Sequence, residues 1–471
     1  MHYKMAITKK SKTVKDFLNY ALGDLCVKGF LFVSLPLLSR IMDPTQYGKL
    51  SLINTAIMIL YVFVSLNMQN AVMNRYMKSS ENFSNYLGSI VLFLIPFQII
   101  IIIAEPFYRN FLSRILGIEA SDLIWVLVIC ILLSYIYIYS SYLQASKQSL
   151  KYVKLNVISK VTEVIFIFAF AYYMSSNQYL SKVYSQLIIS SLLVIYLFFH
   201  IKKIISFPKG TSDIKDALFF SVPLIIHVLS NSLLSQADRL MIADMLGVYD
   251  AGIYSFSYNL GMCIIVVVMA WNASWQPRLY KMLDDGDNKK IRERIFYSTI
   301  IVFAVSALAI LFSNEMIMVL AGEKYYQGAE IVPVIIFGNA LIHIYLCFAN
   351  FVFYQKKSFI ISLATMFALL VNVLINYYAI PKYGIIGAAW ATVISYFMLC
   401  IFHYTAATFY TKNNVVSIFN LLAFSVALLI VIAVTYQINH LDFWPLITIK
   451  ILITLVALMT IYRSKIYNKL S

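Results

Sequence analysis

The stretch "LLSQADRLMIADML" (233–246) places Asp238 and Arg239 side by side inside an apolar run. A charge in the hydrocarbon of a membrane costs at least about 2.5–3.5 kcal/mol, so charges in such positions are usually paired or functional. Adjacent side chains on a helix point about 100° apart, which is poor geometry for pairing with each other. The pair therefore indicates a contact with a ligand, while mutual neutralisation is the alternative.

Two further charge pairs lie in apolar surroundings. Asp24 and Lys28 are four residues apart, and Lys160 and Glu163 are three apart. These spacings put both members on one helix face, where they can neutralise each other. A carboxylate in a low-dielectric site has a raised pKa and can instead exchange a proton or bind sodium. Asp24, Glu163 and Asp238 are therefore candidate ion-coupling groups, with ion pairing as the alternative.

The elements that must carry these charges are membrane helices. The chain has 471 residues, of which 61% are hydrophobic and only 12% charged, and its mean hydropathy is +0.80. A soluble chain carries about 25% charged residues. The composition predicts an all-α, polytopic membrane protein.

Apolar runs of about 20 residues, the length that spans a bilayer, recur along the whole chain. They predict fourteen transmembrane helices: 17–41, 50–73, 85–104, 122–142, 153–173, 182–201, 217–243, 250–275, 295–313, 330–353, 358–380, 385–409, 415–437 and 443–462. An even number of spans places both termini on one side of the membrane.

The distribution of lysine and arginine predicts which side that is. With the amino terminus in the cytoplasm, 26 basic residues fall in cytoplasmic segments and 7 outside. This asymmetry favours cytoplasmic termini. The net charge of +16 then reflects topology, so it does not indicate nucleic-acid binding.

Motifs for chemistry on a substrate are missing from the sequence. We find no HExxH, Walker or GxSxG pattern, and the five cysteines form no CxxC pair. The loops are also too short to hold an extramembrane domain. The sequence therefore predicts no catalytic residue, metal site or cofactor.

The sequence contains an internal repeat. "LSRIMDPTQYGKLSL" (38–52) matches "IADMLGVYDAGIYSF" (242–256) at an offset of 204, so that Gly48 meets Gly252 and Ser51 meets Ser255. Equivalent helices are then six spans apart and have the same orientation. We predict two parallel six-helix lobes, 1–204 and 205–412, followed by two additional helices and a cytoplasmic tail, 413–471.

Three longer segments identify a family resemblance: "LLSRIMDPTQYGKLSLINTA" (37–56) with "NAVMNRY" (70–76), "SVPLIIHVLSNSLLSQADRLMIADMLGVYDAGIYSFSYNLG" (221–261) and "NVLINYYAIPKYGIIGAAWATVISY" (372–396). Together they resemble the Wzx-type polysaccharide transporter branch of the multidrug/oligosaccharidyl-lipid/polysaccharide (MOP) exporter superfamily. The resemblance implies lobes like those of multidrug exporters, and a bacterial inner-membrane flippase that moves a polyprenyl-diphosphate-linked oligosaccharide outward by alternating access. It further implies a role in the synthesis of O-antigen, lipopolysaccharide, capsule or exopolysaccharide. The partners that it implies are membrane lipids and the polysaccharide polymerase and glycosyltransferases of the same pathway.

A sugar diphosphate is anionic and needs a hydrated, cation-lined path through the membrane. The candidate substrate-binding cations are Lys28, Arg40, Arg75, Lys160 and Arg239. Arg40 and Arg75 lie at helix ends, where long side chains also reach lipid headgroups without any further role.

Two other functions remain as alternatives. A drug or cation antiporter of the same superfamily is disfavoured by the excess of intramembrane cations. A polysaccharide polymerase, which is an enzyme, is disfavoured because no large outer loop could hold an acceptor and catalytic carboxylates.

Overall fold

The computed structural model describes residues 19, 23, 26–79, 81–202, 204–206, 210–411, 416–439 and 445–454. The backbone of these residues consists of helices and short turns, and it contains no β-strand in the part described. The prediction of an all-α polytopic membrane protein is confirmed.

The helices of the described residues are numbered in chain order. They are α1 (26–41), α2 (Pro44–Val64), α3 (Met68–Lys78), α4 (Phe83–Leu116), α5 (Leu123–Ala145), α6 (Ser149–Tyr173), α7 (Leu180–Ile201), α8 (Ser212–Met245), α9 (Val248–Gly261), α10 (Cys263–Asp284), α11 (Asn288–Leu311), α12 (Ser313–Leu320), α13 (Val332–Tyr354), α14 (Ser358–Tyr383), α15 (Ile385–Thr411), α16 (Ile418–Ile438) and α17 (Pro445–Thr454). Two short 3-10 helices, Ala120–Asp122 and Glu323–Glu330, precede α5 and α13.

Each of the fourteen predicted spans has a helical counterpart, but two of them are broken. The second starts earlier than predicted, at Pro44, and is interrupted at residues 65–67, where Leu66 and Asn67 have positive φ angles of 48° and 58°. The eighth divides at Met262 into α9 and α10, which are bent by 40°. Hydropathy detects neither break, because the apolar composition continues through both.

Two compact units divide the chain, Met1–Asp244 and Met245–Ser471. In the first, α5 packs against α2, α3, α4, α6 and α7. In the second, α13 packs against α9, α10, α11, α15 and α16, and 94% of the residues in its apolar 18-residue stretch are buried. The predicted lobe boundaries at residues 204 and 412, which follow the sequence repeat, stay predictions.

The spacing of helices in the first unit recurs in the second. Helix α1 ends at residue 41 and α8 at Met245, while α2 begins at Pro44 and α9 at Val248, all 204 residues apart. The two central helices, α5 and α13, both have 23 residues, and α13 lies 209 residues further along the chain. The predicted internal repeat thus extends to the helix boundaries.

A turn that follows each central helix has the same conformation in both units. Lys147 and Lys356 lie 209 residues apart, and each has a φ of 57°, a left-handed conformation that is uncommon for residues other than glycine. Two residues later, Ser149 and Ser358 begin α6 and α14. The "KQS" and "KKS" sequences therefore occupy equivalent turns.

Candidate functional site

A cluster of three charged side chains joins α6 to α7. The ammonium of Lys160 lies 2.9 Å from Oε2 of Glu163, one turn further along α6. Lys182 of α7 donates a hydrogen bond to the other oxygen, Oε1, of Glu163. We refer to Lys160, Glu163 and Lys182 as the lysine–glutamate triad. The pairing of Lys160 with Glu163, expected from their spacing, is confirmed.

The triad contains two cations and one anion in helices that are apolar enough to span a membrane. The side chains of Glu163 and Lys182 are only 7% and 10% exposed, whereas that of Lys160 is 33% exposed. One carboxylate cannot neutralise two ammonium groups, so one positive charge remains in a low-dielectric environment when both lysines are protonated. A positive charge in such a place is costly unless an anion or water approaches it. Lys160 is the most exposed member of the triad.

Lys182 was missed as a site residue by the sequence analysis. It is the first residue of the sixth predicted span, 182–201. In the structure it is buried, because the helix packing of α6 against α7 brings it to Glu163, 19 residues away in sequence. Helical periodicity within one segment does not indicate such a contact between two segments.

Arg239 and Asp238 are both buried, with 7% and 2% exposure. Nη1 of Arg239 donates to Oε1 of Gln236 over 2.7 Å. The same oxygen accepts a hydrogen bond from Oγ1 of Thr55 on α2, at 3.1 Å. The arginine is thus held by a polar chain that connects α8 to α2.

The remaining predicted cations are Arg40, Arg75 and Lys28. Arg40 is exposed and donates to the carbonyl of Pro36, one turn back on α1. Arg75 is half-buried, with its guanidinium 5.5 Å from the centre of the Tyr86 ring. Lys28 is half-buried on α1, and its predicted partner Asp24 lies outside the described residues. Whether any of these side chains binds substrate stays a prediction.

Amide side chains stabilise both broken helices. Where α2 ends, Nε2 of Gln98 donates to the carbonyl of Val64 over 3.2 Å. Where α9 ends, Nδ2 of Asn339 donates to the carbonyl of Gly261 over 3.1 Å. A helix break leaves backbone carbonyls without their intrahelical N–H donors, and the bilayer core offers no water to take their place. The side-chain amides of Gln98 and Asn339 supply the missing donors. Discontinuous helices of this kind are typical of secondary transporters.

A polar cluster outside the membrane-spanning segments joins the start of α2 to the turn before α5. Nζ of Lys49 lies 2.6 Å from Oε1 of Glu119 and 5.0 Å from the centre of the Tyr179 ring. The hydroxyl of Tyr179 donates to Asp122 over 3.0 Å. The hydrogen bond from Lys49 holds the pKa of Glu119 below its usual value, while burial raises the pKa of Tyr179.

In the second unit the buried polar contacts are mainly between neutral groups. Nδ2 of Asn350 donates to Oδ1 of Asn272 over 2.8 Å, and the hydroxyl of Thr299 lies 3.0 Å from Nε2 of His343. Lys450 is a charged exception among the described residues.

The side chain of Lys450 is completely buried in the second unit. Its ammonium lies 2.7 and 2.8 Å from the two carboxylate oxygens of Glu315 and 3.1 Å from Oδ1 of Asn439. All three of its protons therefore have acceptors, which is the pattern of a structural ion pair.

Comparison with known sequences identifies two families. The family model described as polysaccharide biosynthesis protein matches residues 13–283, and the model described as MatE matches residues 223–378. Lsg locus putative protein 1 of Haemophilus influenzae is 23% identical over 82% of this chain and 98% of its own length. The capsular polysaccharide biosynthesis protein CapF of Staphylococcus aureus is 23% identical over 42% of this chain and 50% of its own length.

Solved structures share the fold. A lipid II flippase, MurJ, in an inward closed conformation superimposes with a TM-score of 0.68, at 15% identity, and covers 94% of this chain and 99% of its own. A multidrug resistance MATE transporter of the MOP superfamily in an inward-facing conformation gives a TM-score of 0.64 at 13% identity, over 82% and 96% of the two chains. The predicted likeness to multidrug exporters is thereby confirmed for the fold.

Proposed function

This chain belongs to the polysaccharide biosynthesis protein family, within the MOP exporter superfamily, and we propose that it is a flippase for a polyprenyl-diphosphate-linked oligosaccharide. The cargo moves from the inner to the outer leaflet of the bacterial cytoplasmic membrane by alternating access. It supplies the synthesis of a surface polysaccharide such as O-antigen, capsule or exopolysaccharide. Similarity to a lipid II flippase and to a capsular polysaccharide biosynthesis protein supports this proposal.

The lysine–glutamate triad is the observation that carries the proposal. A diphosphate headgroup is anionic and loses its hydration when it enters a membrane protein, so it requires cations that are themselves poorly hydrated. With both lysines protonated, the triad has one more positive charge than negative, and Lys160 is its most exposed side chain. A cationic drug would be repelled by that charge, which makes the antiporter alternative less favourable.

The three members of the triad have different roles in this proposal. Lys160 contacts the diphosphate, because its side chain is the most exposed of the three. Glu163 keeps Lys160 in place when no cargo is present. Lys182 is a positioning residue that holds Glu163 through the hydrogen bond between α7 and α6. Entry of the diphosphate then requires Lys160 to exchange one oxygen partner for another, which costs less than desolvating a free ammonium.

Arg239 is a second cation that we assign to the diphosphate, at a different place on the first unit. A guanidinium offers two parallel donors that match a phosphate group, and here Nη1 donates to the side chain of Gln236, one turn back on α8. Lys28, Arg40 and Arg75 provide further positive charge at other positions of the same unit. Coupling to a proton or sodium gradient through Asp24, Glu163 or Asp238 is part of this proposal.

Reconstitution into proteoliposomes tests the function directly. A lipid-linked oligosaccharide with a fluorescent sugar is incorporated, and a reagent that cannot cross the membrane destroys the fluorescence of outward-facing headgroups. We expect the protected half of the signal to become accessible with the native chain and to stay protected with Lys160→Gln.

Lys154→Gln is the matched control, because Lys154 is exposed on the same helix and the change removes the same charge. If both variants flip the lipid at the native rate, the triad does not bind the cargo. If the native chain leaves the lipid in place but extrudes an organic cation against a proton gradient, the protein is an antiporter.

The phenotype of a deletion strain distinguishes a flippase from a polymerase. Without the flippase, lipid-linked units accumulate facing the cytoplasm. Single units attached to the cell surface in the deletion strain would instead identify the protein as the polymerase.

A further inference from the structure

Helix α4 is longer than a membrane span requires. It has 34 residues, Phe83–Leu116, and at 1.5 Å per residue it is about 51 Å long, whereas the hydrocarbon core of a bilayer is about 30 Å thick. Residues Phe83 to Glu105 already extend about 34 Å. The last eleven residues, 106–116, are the α4 extension, and they reach beyond the hydrocarbon core.

The α4 extension exposes a line of large apolar side chains. Phe107, Phe111 and Ile115 are spaced four residues apart and are 92%, 68% and 54% exposed. This line continues that of Ile99 and Ile103, which are 53% and 68% exposed within the span and face lipid. The lipid-facing surface of α4 is therefore continuous with the exposed surface of the extension.

The other side of the extension is attached to the protein. Leu116 and Ser113 are buried, with 3% and 6% exposure. At Pro106 the helix loses one backbone hydrogen bond, and nearby the hydroxyl of Tyr108 donates to the carbonyl of Ile101 over 2.7 Å. The extension is thus ordered, with one side in the protein and one side apolar and uncovered in the first unit.

The charged residues of the extension, Arg109 and Arg114, are basic. Nε and Nη2 of Arg109 each lie 2.7 Å from an oxygen of Glu105, which is itself buried. Arg114 is exposed near the end of the helix. A helix with aromatic residues on its apolar face and arginines beside it has the composition that binds at the boundary of acyl chains and phosphates.

The equivalent segment of the second unit is partly covered by protein, although Met318 and Val319 near its end are 49% and 67% exposed. Helix α12 ends at Leu320, 204 residues after the end of α4, and its Glu315 is paired with Lys450 of α17. The first unit has no such additional helix in the described residues of its own sequence range, Met1–Asp244. Lipid can occupy the corresponding place.

We propose that the α4 extension is an interfacial anchor whose exposed apolar line contacts lipid at the membrane surface. The side chains of Phe107, Phe111 and Ile115 enter the boundary between acyl chains and headgroups, and Arg114 contacts the lipid phosphates. The anchor holds the turn at Glu119, which is bonded to Lys49 of α2. It therefore connects the position of the lipid surface to the start of α2, a helix of the transport fold.

Spin labels measure the depth of each side chain. Cysteines are introduced singly at Phe107, Asn110, Phe111 and Ile115 in a cysteine-free background, labelled, and reconstituted in nanodiscs of phosphatidylethanolamine and phosphatidylglycerol. Collisions with oxygen report hydrocarbon, and collisions with a water-soluble nickel chelate report water. We expect oxygen to be favoured at 107, 111 and 115, at depths near the phosphates, and the nickel chelate to be favoured at 110.

Ile99→Cys is the control for the deep hydrocarbon and Asp285→Cys, in an exposed turn, is the control for water. If labels at 107, 111 and 115 are as accessible to nickel as the label at 285, the extension lies in water and the proposal fails. If they are shielded from both reagents and show dipolar broadening between two labelled copies, a second protein chain covers the surface instead of lipid. Labels at exposed positions disturb the core least, and a monodisperse size-exclusion profile checks that each labelled chain is folded.

Discussion

Lys182 of α7 donates a hydrogen bond to Glu163 of α6, and the same carboxylate accepts the ammonium of Lys160 on its other oxygen. Glu163 and Lys182 belong to different helices and are both buried. Glu163 is therefore the group on which the local electrostatic balance depends. Its removal leaves two ammonium groups without their common anion.

Glu163→Gln is expected to destabilise the protein. Removal of one partner from a buried ion pair costs about 3–5 kcal/mol, because the remaining charge is left uncompensated. Adding Lys182→Gln should restore part of this loss, since the residual Lys160 is the more exposed cation. Thermal unfolding in detergent measures the effect, with Lys154→Gln as the control at within about 0.5 kcal/mol of the native chain. An unfolding temperature of Glu163→Gln equal to that of the control would refute the structural importance of the triad.

Arg239→Ala is expected to abolish flipping while the protein still inserts and folds. Arg239→Lys should keep part of the activity, because the charge survives without the two parallel donors of the guanidinium. The proteoliposome assay measures both. If Asp238 and Arg239 serve only to neutralise each other, the double variant Asp238→Asn with Arg239→Gln will transport normally even when each single change is harmful.

Lys450→Met is expected to weaken the attachment of α17. Glu315 would lose the ammonium that contacts both its oxygens, at a cost of about 3–5 kcal/mol. Protease sensitivity of the carboxy-terminal helices and the unfolding temperature measure the loss. Leu452→Ala is the control, because Leu452 is 56% exposed on the same helix. Lys450→Met combined with Glu315→Gln should have a higher unfolding temperature than Lys450→Met alone. A lower unfolding temperature of the double variant would show that the ion pair does not hold α17 in place.

The contact between Lys49 and Glu119 predicts that the stability of the folded protein depends on pH in the acidic range. Because the pKa of Glu119 is lowered in the folded state, its contribution is complete above the ordinary glutamate pKa of about 4.3 and disappears as the pH falls through the lowered value. The effect is small and sensitive to salt, since Glu119 is half-exposed. The difference in unfolding temperature between the native chain and Glu119→Gln should therefore shrink as the pH falls from 6 to 3. A difference that does not change over this range would contradict the assignment.

Cysteine labelling tests the topology. Thr45 lies in the first turn of α2, at the end that we predict to be outside, and Asp285 lies in a turn that we predict to be cytoplasmic. In a cysteine-free background, which also removes the exposed Cys26, Thr45→Cys should react with an impermeant thiol reagent in intact spheroplasts. Asp285→Cys should react only after permeabilisation, and the reverse pattern would invert the topology.

Hydropathy and helical spacing were sufficient to predict the fold class, the approximate positions of the helices and the repeat. Membrane insertion depends on the length of an apolar run, which is a local property of the sequence. The repeat was visible at Gly48 and Gly252, and the structure extends it to helix boundaries 204 residues apart. The spacing of Lys160 and Glu163 likewise indicated their contact, because both lie on one helix.

Contacts between helices were decided only by the tertiary structure. Lys182 pairs with Glu163, and Lys450 with Glu315, because the rotation and vertical offset of neighbouring helices bring them together. The rotation and the vertical offset depend on the packing of all surrounding side chains, and the hydrophobic periodicity of a single segment does not determine them. The breaks in α2–α3 and α9–α10 are of the same kind, since Gln98 and Asn339, which satisfy the carbonyls there, come from other helices.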